Sequence, residues 1–172
     1  MRILRTFVVG VALAGAVAAC GPKPSSAPPP PPTNVSTAPA PALALDRCPV
    51  TGAWWGDGFG PRGSGFHSGV DLLIAEGTPV LAVRNGRVRY VANEAGGGGN
   101  TAYLTADDGT AFQYAHLADF VGVDRRVTAG EVLGHVGHTG NATTPHLHFG
   151  VRRNGVGGTR IDPAPSLHAI GC

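Results

Sequence analysis

The two stretches TPVLAVRNGRVRYVA (78–92) and TAYLTADDGTAFQYAHL (101–117) constrain this chain more than any other feature. Each alternates apolar and polar side chains and breaks once, at Asn85-Gly86 and at Asp108-Gly109. Alternation with a period of two is the mark of a half-buried strand, and Asn-Gly or Asp-Gly between two such runs is the strongest short-range signal of a β-hairpin. The first stretch predicts a type I′ turn at Asn85-Gly86, with Val83 facing Val88 and Leu81 facing Tyr90. The second predicts a hairpin about Asp108-Gly109. EVLGHVG and HLHFGVRRNG add further short strands. No amphipathic helix of useful length is present. With 27 glycines among 172 residues, the pattern predicts an all-β domain.

The stretch TTPHLHFGV (143–151) carries the first chemistry. In a strand, Leu147, Phe149 and Val151 share one face, and His146 and His148 share the other. That spacing suits a metal or proton-transfer site, and equally suits two half-exposed histidines. GFHSGVDLL (65–73) repeats the arrangement: Val70, Leu72 and Ile74 form an apolar face, while His67, Gly69 and Asp71 fall opposite. Two imidazoles and one carboxylate are a common ligand set for catalytic zinc, with a fourth position left for water. A structural zinc in an exported domain more often has four protein ligands, commonly cysteines, which are scarce here.

The N-terminal end reads as an export signal. Arg2 and Arg5 precede TFVVGVALAGAVAA, an apolar run of 14 residues that is short for a membrane span. Val17-Ala18-Ala19-Cys20 resembles a bacterial lipobox, in which Cys20 becomes the lipid anchor of the mature chain; cleavage after Ala16-Val17-Ala18 to give a soluble exported protein is the alternative. Residues 1–19 are thus read as a lipoprotein signal peptide. Residues 20–44 are read as the anchor cysteine and a linker. Between residues 21 and 44 lie nine of the 15 prolines and no aromatic residue, so this segment cannot bury a core. As polyproline II it would reach about 70 Å, a stalk between a membrane and the domain at 45–172. Without Arg2 and Arg5, the 13 Lys and Arg fall to 11, equal to the 11 Asp and Glu. The mature chain lacks the basic footprint of a nucleic-acid binder. With Cys20 assigned to the anchor, Cys48 and Cys172 remain near the ends of the domain. An oxidising compartment and adjacent termini predict a disulfide between them, two free thiols being the alternative.

The ordered set H-x3-D, YAHL and PHLHF resembles the LytM/lysostaphin-type zinc metallopeptidases, the M23 peptidases. GFGPR, GVDLLIAEGTPVLAVRNGRVRYV, GGGGN, VTAGEVLGHVGHTG and the final RNG and DP steps extend the likeness over about residues 49–163. The resemblance implies a two-sheet antiparallel β domain, duplicated-hybrid-motif-like, with a groove that carries Zn2+. It implies His67, Asp71 and His148 as metal ligands, and His116 of YAHL with His146 as a catalytic pair that does not bind the metal. It implies hydrolysis of peptide cross-links in bacterial cell-wall peptidoglycan, at an envelope site reached from the Cys20 anchor. A non-enzymatic regulator of a wall amidase and a wall-binding lipoprotein are the alternatives; regulators of that kind typically lack metal ligands or catalytic histidines, and this chain has all five site residues.

Other residues are given lesser roles. His135 and His138 are read as surface or loop side chains, and His168 as solvated. Trp54 and Trp55 are read as one core and one surface residue. Residues 95–100, AGGGGN, are read as a flexible loop at the groove edge, with Asn100 structural.

Overall fold

The computed structural model describes residues 43–63 and 65–172. The signal peptide, Cys20 and the linker up to residue 42 lie outside the described residues. Among the described residues there are twelve strands and one short helix. The strands are β1 (Trp54–Trp55), β2 (Gly60–Arg62), β3 (Gly65–His67), β4 (Gly69–Leu73), β5 (Pro79–Leu81), β6 (Gly86–Glu94), β7 (Gly99–Ala106), β8 (Ala111–Phe120), β9 (Arg125–Val127), β10 (Val132–Val136), β11 (His146–Arg153) and β12 (Thr159–Ile161); the helix is α1 (Ala164–Ala169). Ten strands form one antiparallel sheet whose central path runs β1-β4-β11-β8-β7-β6-β9, and β2 and β3 form a separate two-stranded ribbon. The fold is all-β and antiparallel, as the alternation requires.

The core follows from strand parity. On β11, Leu147, Phe149 and Val151 are fully or almost fully buried. Their cross-strand neighbours are Leu72 and Val70 on β4, and Tyr114 and Phe112 on β8. Phe149 stacks on Phe112 at 6.1 Å and meets the edge of Tyr114 at 5.4 Å. Each such side chain, moved from water into this layer, contributes roughly 1.5–3 kcal/mol. The Tyr114 hydroxyl is not orphaned there. It accepts the Val83 N–H at 3.1 Å, while burial pushes its pKa far up and keeps it neutral.

The two hairpin expectations part company. The Asp108-Gly109 turn joins β7 and β8, with Leu104 opposite Phe112 and Thr105 opposite Ala111. Asp108 Oδ1 accepts the Thr110 N–H at 2.8 Å and so closes the turn locally. The Asn85-Gly86 hairpin does not form. β5 pairs with β10, and β6 pairs with β7 and β9, so Leu81 does not face Tyr90 and Val83 does not face Val88. Neither Asn85 nor Gly86 has the positive φ that a type I′ turn needs. Asn85 instead accepts the Ala129 N–H at 2.8 Å. Gly86 is glycine because the backbone of β7 passes so close that a Cβ would strike the Thr105 carbonyl oxygen. Long-range sheet partners outweigh the local turn signal.

The chain ends are fastened to each other. Leu43 N–H donates to Ser166 Oγ on α1 at 2.9 Å, and Leu167 of α1 is buried in the core. Cys48 and Cys172 are joined, with Cα atoms 5.6 Å apart across a sequence separation of 124. Both tryptophans of β1 are exposed, Trp54 at 81% and Trp55 at 37%, so neither is a core residue. Among the described residues β1 is an edge strand of two residues, paired on one side only. Trp55 packs against His168, ring centroids 4.5 Å apart, and His168 is exposed, as expected.

A link that closes so long a loop stabilises chiefly by limiting the unfolded chain. Replacing Cys48 and Cys172 together with serine should lower the unfolding free energy by about 2–5 kcal/mol. Urea denaturation under non-reducing conditions checks this; a change below about 1 kcal/mol would contradict it.

Candidate metal centre

Asp71 and His148 are direct cross-strand partners on β4 and β11, on the face opposite Val70, Leu72, Leu147 and Phe149. Alternation therefore delivers a carboxylate and an imidazole side by side without any loop. Gly69 makes the space: a Cβ there would collide with the Phe149 carbonyl oxygen and sit 2.9 Å from His148 Nε2. His67 comes from the ribbon, at the end of β3, just before the chain enters β4.

The three side chains converge on one point. His67 Nε2 lies 2.9 Å from His148 Nδ1, and Asp71 Oδ1 lies 3.1 Å and 3.0 Å from those two nitrogens. His67 donates its Nδ1–H to the Gly58 carbonyl at 2.7 Å, which leaves Nε2 as a bare lone pair. A bare nitrogen, a second imidazole nitrogen and a carboxylate oxygen in mutual contact ask for a cation among them. Their N, N, O chemistry fits a zinc site with three protein ligands and an open side. Burial would raise the Asp71 carboxyl, but the adjoining His148 and His67 imidazoles hold it well below the usual carboxylate range. Burial pushes His148 below the ordinary imidazole range, against the pull of Asp71. An ionised carboxylate and a neutral imidazole are the forms that bind metal.

His116 and His146 stand next to this cluster, their rings 4.6 Å apart. His146 Nε2 is 3.7 Å from Asp71 Oδ1, beyond hydrogen-bond reach. Both carry the same backbone restraint as His67. His116 donates Nδ1–H to the Thr139 carbonyl and His146 donates Nδ1–H to the Thr144 carbonyl, each at 2.8 Å. Each therefore keeps Nε2 free to accept a proton. Burial lowers the His116 pKa more than the Thr139 carbonyl raises it, so His116 is neutral at neutral pH.

His116 reaches this place through an irregular backbone. β8 pairs with β11 up to Ala115 and with β10 from Leu117 onward. His116, between the two, has φ +65, a left-handed conformation unfavourable to a side chain bearing Cβ. Its N–H donates to the Gly98 carbonyl at 2.7 Å. The glycine run is thus a packed support rather than a loose loop. Asn141 N–H donates to the Gly97 carbonyl at 2.9 Å, and a Cβ on Gly97 would lie 2.6 Å from Asn141 Nδ2. Asn100 belongs to the same support, its N–H bound to Thr139 Oγ1 at 2.9 Å.

The five residues line a groove of about 480 Å³, together with Arg62, Phe66, Glu94 and the 141–144 segment. His135 and His138 are not among them. They pair with Asp119 at 2.8 Å and with Glu76 at 3.1 Å. Sequence reading missed Gly58, Thr139 and Thr144, whose carbonyls set the imidazole tautomers, because a backbone acceptor has no residue signature. It also missed Arg62, which lies 3.0 Å from Asp71 Oδ2.

Comparisons with known proteins show the family. The model of peptidase family M23 matches residues 65–163, and the chain belongs to that family. Glycyl-glycine endopeptidase ALE-1 of Staphylococcus capitis is 41% identical over 123 residues, 67% of this chain and 34% of that protein. The chain therefore spans about a third of that relative's length. The catalytic domain of the antimicrobial peptidase lysostaphin from Staphylococcus simulans superposes with a TM-score of 0.63 at 37% identity, over 67% of this chain and 92% of that one. A zinc containing peptidase from Vibrio cholerae superposes with a TM-score of 0.60 at 28% identity, over 71% and 40%.

The left-handed backbone at residue 116 gives a direct check. Glycine there removes the Cβ clash and alanine keeps it, so His116→Gly should be more stable than His116→Ala by about 1 kcal/mol. In an ordinary strand the order is reversed. Chemical denaturation of the two variants decides; an alanine variant of equal or greater stability would contradict the strained position.

Proposed function

We propose that this protein is a zinc-dependent endopeptidase that hydrolyses peptide cross-links of bacterial cell-wall peptidoglycan, with His67, Asp71 and His148 as metal ligands and His116 and His146 as the groups that move protons. The observation that carries the reading is the convergence of five side chains from β3, β4, β8 and β11 on one open groove, with three donor atoms within 3.1 Å of one another and two free imidazole nitrogens alongside. Membership of the M23 family and the likeness to endopeptidases and to a zinc containing peptidase support it.

A zinc ion held by His67, Asp71 and His148 would supply a Lewis acid for the scissile carbonyl and would lower the pKa of water there to about 7. The protein's own groups do the rest. His116 and His146, each tied at Nδ1, present Nε2 as a proton acceptor. The imidazole that takes the water proton becomes a donor, and can deliver that proton to the leaving amine. The second imidazole, 4.6 Å away ring to ring, is placed to hydrogen-bond the charge that develops on the carbonyl oxygen, using an Nε2 proton taken up from solvent in the open groove. Depressed basicity at His116 keeps Nε2 unprotonated at neutral pH and ready for the first of these tasks. Export by residues 1–19, lipid anchoring at Cys20 and the proline-rich linker complete the proposal: they place the domain in the cell envelope on the outer side of a membrane, within reach of the wall.

Digestion of purified, cross-linked peptidoglycan, read by mass spectrometry, tests this. New peptide ends should appear with the zinc-loaded protein and vanish with a chelator. His116→Ala and His146→Ala should each reduce turnover by about 10²–10⁴ while one zinc per chain remains bound. Zinc-loaded protein that releases no new ends would point to a regulator instead, and loss of zinc in either variant would overturn the role assignment.

A further inference from the structure

The two oxygens of Asp71 have different partners. Oδ1 faces His67 and His148, at 3.1 Å and 3.0 Å, while Oδ2 is 3.0 Å from Arg62 Nη2. Arg62 lies on β2 and His67 on β3, the two strands of the ribbon. The same Nη2 is 3.3 Å from Asp57 Oδ2. The proton-transfer chemistry above gives Arg62 no task.

We propose that Arg62 is a positioning residue for the metal centre: by occupying Asp71 Oδ2 it presents Oδ1 alone to the metal, and it fastens the ribbon that carries His67 to the strand that carries Asp71. This rests on the zinc reading of the site. A carboxylate with both oxygens free can rotate or bind through either; an arginine hydrogen bond to one oxygen removes that freedom, because the guanidinium is planar and permanently charged. The Asp71 side chain is only 13% exposed, so Oδ2 needs a partner from the protein. Partners of this kind orient ligands in metal sites generally, and their loss weakens metal binding.

Plain electrostatics argues the opposite sign. A fixed cation beside a cation site should weaken binding, and its removal should tighten it. Arg62 is 34% exposed, so its long-range charge is screened by solvent, whereas the hydrogen bond to Oδ2 is local. Orientation therefore outweighs repulsion, and the sign of the effect separates the two accounts. A third account has Arg62, which also lines the groove, anchoring a substrate carboxylate. That account predicts a change in KM without a change in metal affinity.

The test is the zinc dissociation constant of the full chain, by competition with a chromophoric chelator, for wild type, Arg62→Gln and Arg62→Lys. Arg62→Gln should weaken zinc binding 10- to 100-fold. Arg62→Lys, which keeps one charged nitrogen, should recover part of the loss, and the metal-free Tm of both should stay near that of wild type. At saturating zinc, kcat should return towards wild type with KM unchanged. Unchanged or tighter zinc binding in Arg62→Gln would overturn the proposal, as would a raised KM at unchanged zinc affinity or a collapse of the metal-free Tm in both variants. If only Arg62→Gln fails to fold, Arg62→Lys decides: wild-type affinity overturns the proposal and weakened affinity supports it. Wild type that binds no zinc would overturn the zinc reading itself, a result distinct from wild-type binding that Arg62 does not affect.

Discussion

The pairing of β4 with β11 sets Asp71 beside His148 on one face and packs Val70 and Leu72 against Phe149 and Leu147 on the other. The two consequences cannot be separated. A slip of one residue would turn the carboxylate and imidazole inward and the four apolar side chains outward, so the hydrophobic core enforces the register of the site. Burial of one face thereby holds the polar groups of the other face in register. The restoring force comes from apolar area that is buried anyway.

Around that pair, the remaining groups are held by backbone rather than by other side chains. Carbonyls of Gly58, Thr139 and Thr144 fix the tautomers of His67, His116 and His146, and the Gly98 carbonyl takes the N–H of His116. Each bond is worth about 1 kcal/mol net. Their larger effect is directional, since they leave every Nε2 bare. The left-handed backbone at His116 works against folding, by about 1–2 kcal/mol. It is tolerated because β8 is clamped on both sides of the irregularity, by β11 before it and β10 after it.

Much of this was legible in the sequence, for a physical reason: strand parity is a local property. The alternation in residues 146–151 and 69–72 placed the core face and the site face correctly, and the ordered motifs brought the five site residues together. The Asp108-Gly109 turn was legible because its closing hydrogen bonds lie within the turn. The Asn85-Gly86 turn was misread because the identity of Gly86 answers to a distant neighbour, the Thr105 carbonyl, and not to a turn conformation. The tryptophans were misread because burial depends on which strand lies at the edge, which composition does not reveal. The twist at His116 and the Arg62 contact with Asp71 were invisible for the same reason. Both are set by strands that meet only in the folded domain.

We propose that His67, Asp71 and His148 bind the metal and that His116 and His146 do not. Anomalous diffraction at the zinc edge, from crystals of the zinc-loaded protein, tests it most directly. One peak is expected at about 2.0–2.2 Å from His67 Nε2, Asp71 Oδ1 and His148 Nδ1, with His116 and His146 outside ligand distance. A peak ligated by His116 or His146, or full zinc occupancy elsewhere in the molecule, would contradict it.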